Sequence, residues 1–462
     1  MRYVSTRGGV EPIGFANAVM MGLATDGGLL LPESIPQVSA ATLRRWAGLP
    51  FQELAQEVIT PYIGEDLTPE ELTDLIKRSY AHFSDPAITP LIELKGGQRI
   101  LELFHGPTAA FKDVALQFLG NLFALLLERR DQRLNIIGAT SGDTGSAAIY
   151  GVRGQPRIDI FILHPHQRVS PIQERQMTTV LDENVHNIAI QGTFDDGQRI
   201  VKELFNDLPF KQKYALGAVN SINWARILAQ VVYYFYAWGQ VSGGDSQQRV
   251  SFSVPTGNFG DIFAGYIAMR MGLPIERLIL ATNRNDILSR FVHSGSYRAD
   301  AVYPTITPSM DIQLASNFER YLYYLLGEDP SQIREKMAEL AVAGEITITP
   351  PQHAEVQRLF LAEAVSEAQT AAQIAKTFSE SGYILDPHTA VGVAAAHAHP
   401  EAICLATAHP AKFPEAVAAA IGSPPPVPPA LQGLLEREQR CALLAAESGV
   451  IKAFIEERLA ER

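Results

Sequence analysis

The stretch LELFHGPTAAFKDVALQFL, Leu101–Leu119, decides how this chain is read. Ile100–Phe104 has the texture of a short strand, and His105-Gly106-Pro107-Thr108 is built from residues that punctuate secondary structure. From Val114 to Leu127 apolar residues recur at helical spacing with no interior proline. The pattern predicts strand, turn and helix, with Lys112 at the start of a mostly buried helix. A lysine there meets the positive end of the helix dipole and loses part of its hydration. Both effects oppose the ammonium form and favour the free amine that a nucleophile needs. An ordinary solvated lysine beside Asp113 satisfies the same local pattern, so the rest of the chain has to choose.

Outward from this stretch, short apolar runs recur and most are followed by a helix-length segment. They are Leu134–Ile137, Ile158–Leu163, Asn187–Gln191, Val250–Val254, Leu278–Ala281 and Ile403–Thr407. Such alternation predicts parallel sheet in an α/β architecture, with ligands at the carboxyl ends of the strands. Residues 1–92 carry helical patterns at Leu43–Tyr62 and Pro69–Ser79 and read as a small N-terminal domain. Residues 93–423 form the α/β region, in two discontinuous sublobes. It carries a helical insertion at about 294–349, in which Ser309–Asp329 and Gln332–Val342 read as helix. PPPVPP (Pro424–Pro429) is a stiff linker. It opens a C-terminal segment, 424–462, read as helical from Leu431 to Leu459 with a break near Gly449.

Across 462 residues, 38 basic side chains stand against 50 acidic ones, a net charge of −12 with no basic cluster. That composition argues against a nucleic-acid partner. No apolar run is long enough to span a bilayer. The two cysteines, Cys404 and Cys441, make no disulfide framework, which fits a cytoplasmic protein. His164/His166 and His397/His399 lie two residues apart without a cysteine pair, a poor pattern for a metal, and none is expected.

Three loops stand out where strands give way to helices. GATSGDTGSAA (Gly138–Ala148) concentrates small and hydroxyl residues and offers backbone N–H groups to a carboxylate, although a tight turn with a helix cap explains some of them. It contains the Asp-Thr-Gly triplet of aspartic proteases, but that chemistry needs two such aspartates in β-rich lobes. SVPTGNFGDIFAG (Ser253–Gly265) has Gly257 and Gly260 directly after a strand, where a backbone can cradle a phosphate. It is neither a P-loop nor a dinucleotide fingerprint. In LDPHTAVG (Leu385–Gly392), Thr389 reads as a possible helix cap.

Together these segments resemble the threonine synthases, pyridoxal-phosphate enzymes of the tryptophan-synthase-β type (fold type II). YVSTRG (Tyr3–Gly8), GLATDGGLLLPESIP (Gly22–Pro36), FHGPTAAFKD, SGDTGSAA, GNFGD, DPHTAVG and TAHPAKFPE (Thr407–Glu415) match that family's motifs in order and spacing over nearly the whole chain. The resemblance implies parallel and mixed sheets flanked by helices. It also implies pyridoxal 5′-phosphate as cofactor and conversion of O-phospho-L-homoserine and water to L-threonine and phosphate.

Carried over by position, Lys112 would be the catalytic residue and the covalent anchor of the cofactor. Gly257, Asn258, Phe259, Gly260 and Asp261 would hold the cofactor phosphate, largely through backbone amides. Thr389 would face the pyridine nitrogen, and a hydroxyl there would not enforce a protonated ring. Asp143 stands where many relatives of the wider fold have an asparagine that contacts the ring. Thr140, Ser141, Gly142 and Thr144 would take the substrate carboxylate. Asn220, Ser221 and Arg226, in VNSINWAR, would take the substrate phosphate. The nearest rivals are a serine/threonine dehydratase or a phospho-amino-acid lyase on the same fold, and a non-catalytic binding homologue is a third. A dehydratase needs no second anion site. The resemblance leaves monomer and homodimer open.

Overall fold

The computed structural model describes residues 1–140 and 142–460. Within them the expected strand and helix flank a turn-rich passage: strand Arg99–Glu102 precedes it and helix Lys112–Arg130 follows, buried along most of its length. The chain divides into two units, Met1–Gly106 with Ser221–Pro426, and Pro107–Asn220 with Val427–Arg462.

The first unit is built on a six-stranded sheet. Its order is Phe360–Ala364, Ile275–Thr282, Val250–Pro255, Ile403–Ala406, Arg99–Glu102, Leu91–Glu93. All neighbours are parallel except the last pair. The two central strands, Val250–Pro255 and Ile403–Ala406, are buried at every residue. Strands covered on both faces lose the polar alternation of a half-exposed sheet, which is why their sequences are continuous apolar runs. Because these two strands are adjacent and parallel, the loops that begin at Thr256 and Thr407 leave the same edge of the sheet. Helix Trp224–Ser242 is buried almost all round. Ahead of the sheet, Tyr3–Ser5 pairs antiparallel with Leu30–Pro32, and helices Phe51–Ile63 and Pro69–Tyr80 follow.

The second unit is a parallel five-stranded sheet in the order Ala442–Ala445, Val185–Gln191, Ile158–Pro165, Leu134–Ala139, Leu216–Gly217. Helices Lys112–Arg130, Asp143–Val152 and Pro171–Thr178 belong to it. No helix among the described residues is long and apolar enough to cross a membrane.

Three sequence expectations need correction. Leu43–Tyr62 is two helices, Ala40–Trp46 and Phe51–Ile63, separated by the Gly48-Leu49-Pro50 break. Ser309–Asp329 is helical only at Phe318–Leu325, after one 3₁₀ turn at Pro308–Met310. There the Asp311 carboxylate accepts from Thr305 N, Thr305 Oγ1, Asn283 Nδ2 and Asn285 Nδ2, and such side-chain bonds compete with helix. The C-terminal stretch contains strand Ala442–Ala445 before helix Ser448–Ala460. Four apolar residues carry no period, so only the pairing with Val185–Gln191 decides their conformation.

Candidate active site

In the second unit, Lys112 is the first residue of its helix and is half-buried. The turn before it is fastened by Asp113. One oxygen of that buried carboxylate accepts from Thr108 N at 2.8 Å and the other from Thr108 Oγ1 at 2.7 Å. Ala109, inside the turn, sits at φ 55, a conformation that L residues avoid unless their surroundings impose it. Gln176 donates to Thr108 O at 2.9 Å from helix Pro171–Thr178. The Nζ of Lys112 lies 5.8 Å from the centre of the Phe111 ring. The lysine is thus presented from a helix end preceded by a turn whose Thr108 is held by Asp113 and Gln176.

The small-residue loop follows strand Leu134–Ala139. Thr140 Oγ1 accepts from Gly142 N at 3.0 Å and Gly145 N at 2.9 Å, which curls the loop over its own hydroxyl. Asp143 opens helix Asp143–Val152 and is buried, and Thr144 beside it is half-buried. Gln173 Nε2 donates to Asp143 Oδ1 at 2.8 Å, so the carboxylate is oriented by an amide. Gln173 and Gln176 share one helix three residues apart and so lie on one face. Through them one short helix grips both the Lys112 turn and the Asp143 loop. Ser141 lies outside the described residues. Asn220, half-buried, ends the chain stretch of this unit.

Gly142 has φ 146, and a Cβ there would lie 2.5 Å from the Gln173 side-chain amide carbon. We expect Gly142→Ala to push Gln173 off Asp143. Steady-state kinetics would show it as a KM increase of at least ~10-fold, the size of one lost charge-assisted hydrogen bond.

In the first unit the loop after Val250–Pro255 turns through Gly257 and Asn258 into helix Gly260–Arg270, with Phe259 at φ 64. A Cβ on Gly257 would stand 2.8 Å from Ser309 O, so the loop is backed by segment 309–312. Asn258 O accepts from Asn317 N at 3.1 Å and from Asn317 Nδ2 at 3.2 Å. Asn317 Nδ2 also donates to Ser221 O, and Ser316 Oγ bridges Ser221 Oγ at 3.0 Å and Asn258 Oδ1 at 3.2 Å. Arg320, fully buried, donates to Asn317 Oδ1, Leu30 O and Ile222 O. Desolvation pushes its guanidinium down to about 9. The structure therefore brings Ser221 and Asn258 together through Ser316 and Asn317, with Arg320 bracing Asn317, and all three lie in the segment that the sequence predicts to be a helical insertion.

The Asp261 side chain turns away from the loop. Its Oδ1 accepts from Tyr233 OH at 2.5 Å and Tyr234 OH at 3.0 Å, while Oδ2 has no hydrogen-bond partner among the described residues. Burial pushes this carboxyl up to about 6. A folded value above the ordinary 3.8 means that the stability it confers is complete below that value and is lost as pH rises through about 6. Asp261→Asn keeps an acceptor for both tyrosines. Denaturant unfolding of the cofactor-free variant should gain on the order of 3 kcal/mol at pH 7 and little at pH 4.

Arg226 lies in the first turn of helix Trp224–Ser242, 5% exposed. Its Nε and Nη1 have no hydrogen-bond partner among the described residues, and desolvation pushes it down to about 10. A buried cation left without an acceptor is costly, so the position is suited to an anionic ligand. Thr389 is at the third position of helix Pro387–Ala395, whose cap is Asp386 and not Thr389. The Thr389 hydroxyl donates to Asp386 Oδ2 and accepts from Thr407 N at 3.1 Å. Thr407 Oγ1, also buried, has no partner among the described residues. Sequence reasoning passed over Asp386, although Asp-Pro before an apolar run is a helix-start signal.

Family models match three consecutive parts of the chain: threonine synthase N terminus at residues 2–80, pyridoxal-phosphate dependent enzyme at 85–359, and threonine synthase, C-terminal, at 389–455. The chain is 48% identical over 461 residues to threonine synthase of Pseudomonas aeruginosa, covering 98% of each. It is 49% identical to threonine synthase of Saccharomyces cerevisiae, covering 90% of this chain and 88% of that one. Its fold matches the crystal structure of pyridoxal-phosphate-bound threonine synthase from Brucella melitensis at 46% identity and a TM-score of 0.96, covering 99% of both chains.

Proposed function

Because the chain belongs to the threonine synthase family of pyridoxal-phosphate-dependent enzymes, we propose that it converts O-phospho-L-homoserine and water to L-threonine and phosphate. The observation that carries this reading over a dehydratase on the same fold is Arg226. It is a buried guanidinium with two donors unpaired among the described residues, separate in sequence from the glycine loop Gly257–Gly260, and a reaction with two phosphates needs two anion seats.

The donor set fits the cofactor. The glycine loop ends in helix Gly260–Arg270, whose first N–H groups have no partner within the helix and suit a phosphate. The unpartnered Thr407 hydroxyl and the Thr389 hydroxyl are polar groups at the carboxyl end of a buried sheet. We assign the cofactor phosphate to the amides of Gly257, Asn258, Phe259, Gly260 and Asp261, the ring nitrogen to Thr389, and the covalent anchor to Lys112. When bound, pyridoxal phosphate supplies an electron sink for charge developing beside the substrate amine.

The chain's own residues then position groups and move protons. Thr140, Ser141, Gly142 and Thr144 hold the substrate carboxylate, and Asn220, Ser221 and Arg226 hold its phosphate. Lys112, released by the substrate amine, would take the proton from Cα, pass it to the conjugated system the cofactor supplies, and as the free amine take a second proton from Cβ. The Cγ–O bond breaks and phosphate departs with the bonding electrons into the grip of Arg226. Lys112 would return one proton to Cγ, which becomes the methyl group, and the other to Cα, while water adds its hydroxyl at Cβ and its remaining proton goes to the departed phosphate. One lysine can serve each step because its flexible stem carries a single transferable proton. We extend the proposal to a cytoplasmic enzyme acting as monomer or homodimer. The test is phosphate release from O-phospho-L-homoserine with the amino-acid product identified. Threonine supports the reading, and 2-oxobutanoate with ammonia would replace it by a lyase.

A further inference from the structure

Arg320 is fully buried in helix Phe318–Leu325, and every nitrogen of its guanidinium donates. Nη1 donates to Asn317 Oδ1 at 2.6 Å and Nε to Leu30 O at 3.2 Å, while Nη2 reaches Leu30 O at 2.9 Å and Ile222 O at 2.6 Å. Its Cζ stands 5.9 Å from the centre of the Trp224 ring. Because Oδ1 of Asn317 faces the guanidinium, its Nδ2 is turned to the carbonyls of Ser221 and Asn258, at 3.2 Å each. Arg320 therefore fixes the loop Ser221–Asn223 twice, directly at Ile222 and through Asn317 at Ser221.

The same arginine ties that loop to the N-terminal part of the chain. Leu30 opens strand Leu30–Pro32, Asn223 Nδ2 donates to Val19 O at 2.8 Å, and the rings of Tyr3 and Tyr62 lie 6.1 and 5.8 Å from that of Trp224. Glu319, beside Arg320 on the helix, accepts from Thr6 Oγ1 at 2.6 Å and from the Arg7 guanidinium, both in YVSTRG. A trans peptide points its N–H opposite to its C=O. With the carbonyls of Ser221 and Ile222 taken up by Asn317 and Arg320, the amides of Ile222 and Asn223 point away from those residues, and neither bonds a backbone acceptor among the described residues. They stand just ahead of helix Trp224–Ser242, whose first turn carries Arg226, and such amides at a helix start suit an anion.

We propose that Arg320 is a positioning residue for the substrate phosphate, acting through the loop Ser221–Asn223, which it holds in its anion-binding shape before the ligand arrives. This rests on the assignment of Ser221 and Arg226 to that phosphate made above. A loop already held loses less conformational freedom on binding, so the contribution of Arg320 is read in affinity for the phosphate and not in the proton transfers at Lys112. It also gives YVSTRG and GLATDGGLLLPESIP, which supply Thr6, Arg7 and Leu30, a part in substrate binding.

The experiment is calorimetric titration of the holoenzyme with inorganic phosphate, alongside steady-state kinetics with O-phospho-L-homoserine. Arg320→Lys keeps the charge and Arg320→Gln keeps an amide donor, so the fold should persist, but neither spans three acceptors as a planar guanidinium does. Both should weaken phosphate binding about 10- to 100-fold, the range for one hydrogen bond to a charged group, and raise KM by a similar factor with a smaller change in kcat. Cofactor content and absorbance should match wild type. Arg226→Ala supplies the reference: adding Arg320→Lys to it should weaken phosphate binding much less than Arg320→Lys does alone, because both act on one seat. Equal losses in the two backgrounds overturn the proposal, as do Arg320 variants that bind phosphate like wild type while Arg226→Ala does not. Loss of the cofactor or the fold in both Arg320 variants makes the residue structural and overturns it too. If wild type and Arg226→Ala bind phosphate equally, the assignment of the seat itself is wrong and the proposal falls with it.

Discussion

Lys112→Ala should lower turnover by about 10²–10⁴-fold, the range for one positioned acid–base group, and by more if the proposed covalent anchor is lost as well. The fold should survive. Alanine is the best helix former, and the turn before it is fastened by Thr108, Asp113 and Gln176, none of which depends on the lysine for the bonds described. Two measurements separate the outcomes. Phosphate release should vanish, and the absorbance of covalently held cofactor should be gone after dialysis while thermal unfolding of the cofactor-free protein is unchanged. Covalent cofactor persisting in Lys112→Ala would transfer the role to another lysine.

Arg226→Ala should cost ~2–5 kcal/mol in transition-state binding, as for a desolvated charge pair cut on one side. In kcat/KM for phosphohomoserine that is about 30- to 5000-fold, with cofactor affinity nearly unchanged. Arg226→Lys should fall between, since an ammonium cannot grip two phosphate oxygens in one plane. The same residue makes an opposite prediction for stability. Holding this guanidinium at about 10 instead of its ordinary 12.5 costs on the order of 3 kcal/mol. Arg226→Met should therefore unfold at a higher temperature than wild type when both are free of ligands. Inorganic phosphate should stabilise wild type and leave Arg226→Met unmoved. Equal stabilisation of the two by phosphate would take the substrate phosphate away from this arginine.

The sequence carried the alternation of strands and helices because fully buried parallel strands read as uninterrupted apolar runs, as at Val250–Pro255. It carried the start of the Lys112 helix because proline, glycine and threonine stop just before it. Segment 309–317 was not legible. Its shape depends on Asp311, Asn317 and Ser316 bonding to residues distant in the chain, and no local period encodes that. Gln173 and Gln176 were hidden for a related reason. An amide on a short helix has no signature until the loops it grips are in place. Arg226 was visible as a charge in a first turn, but its lack of a partner is a property of the folded interior alone.

Strand Ala442–Ala445 lies beside Val185–Gln191 at the margin of the second unit's sheet, yet it is synthesised long after its neighbour. Until it emerges from the ribosome, Val185–Gln191 presents an open row of amides and carbonyls to any other nascent chain. The hazard persists throughout translation of Ser221–Pro426, which belongs to the other unit. A ribosome stalled in that interval would leave a template for aggregation. Supplying a peptide with the sequence of residues 440–460 to chains truncated before Ala442 should keep them soluble.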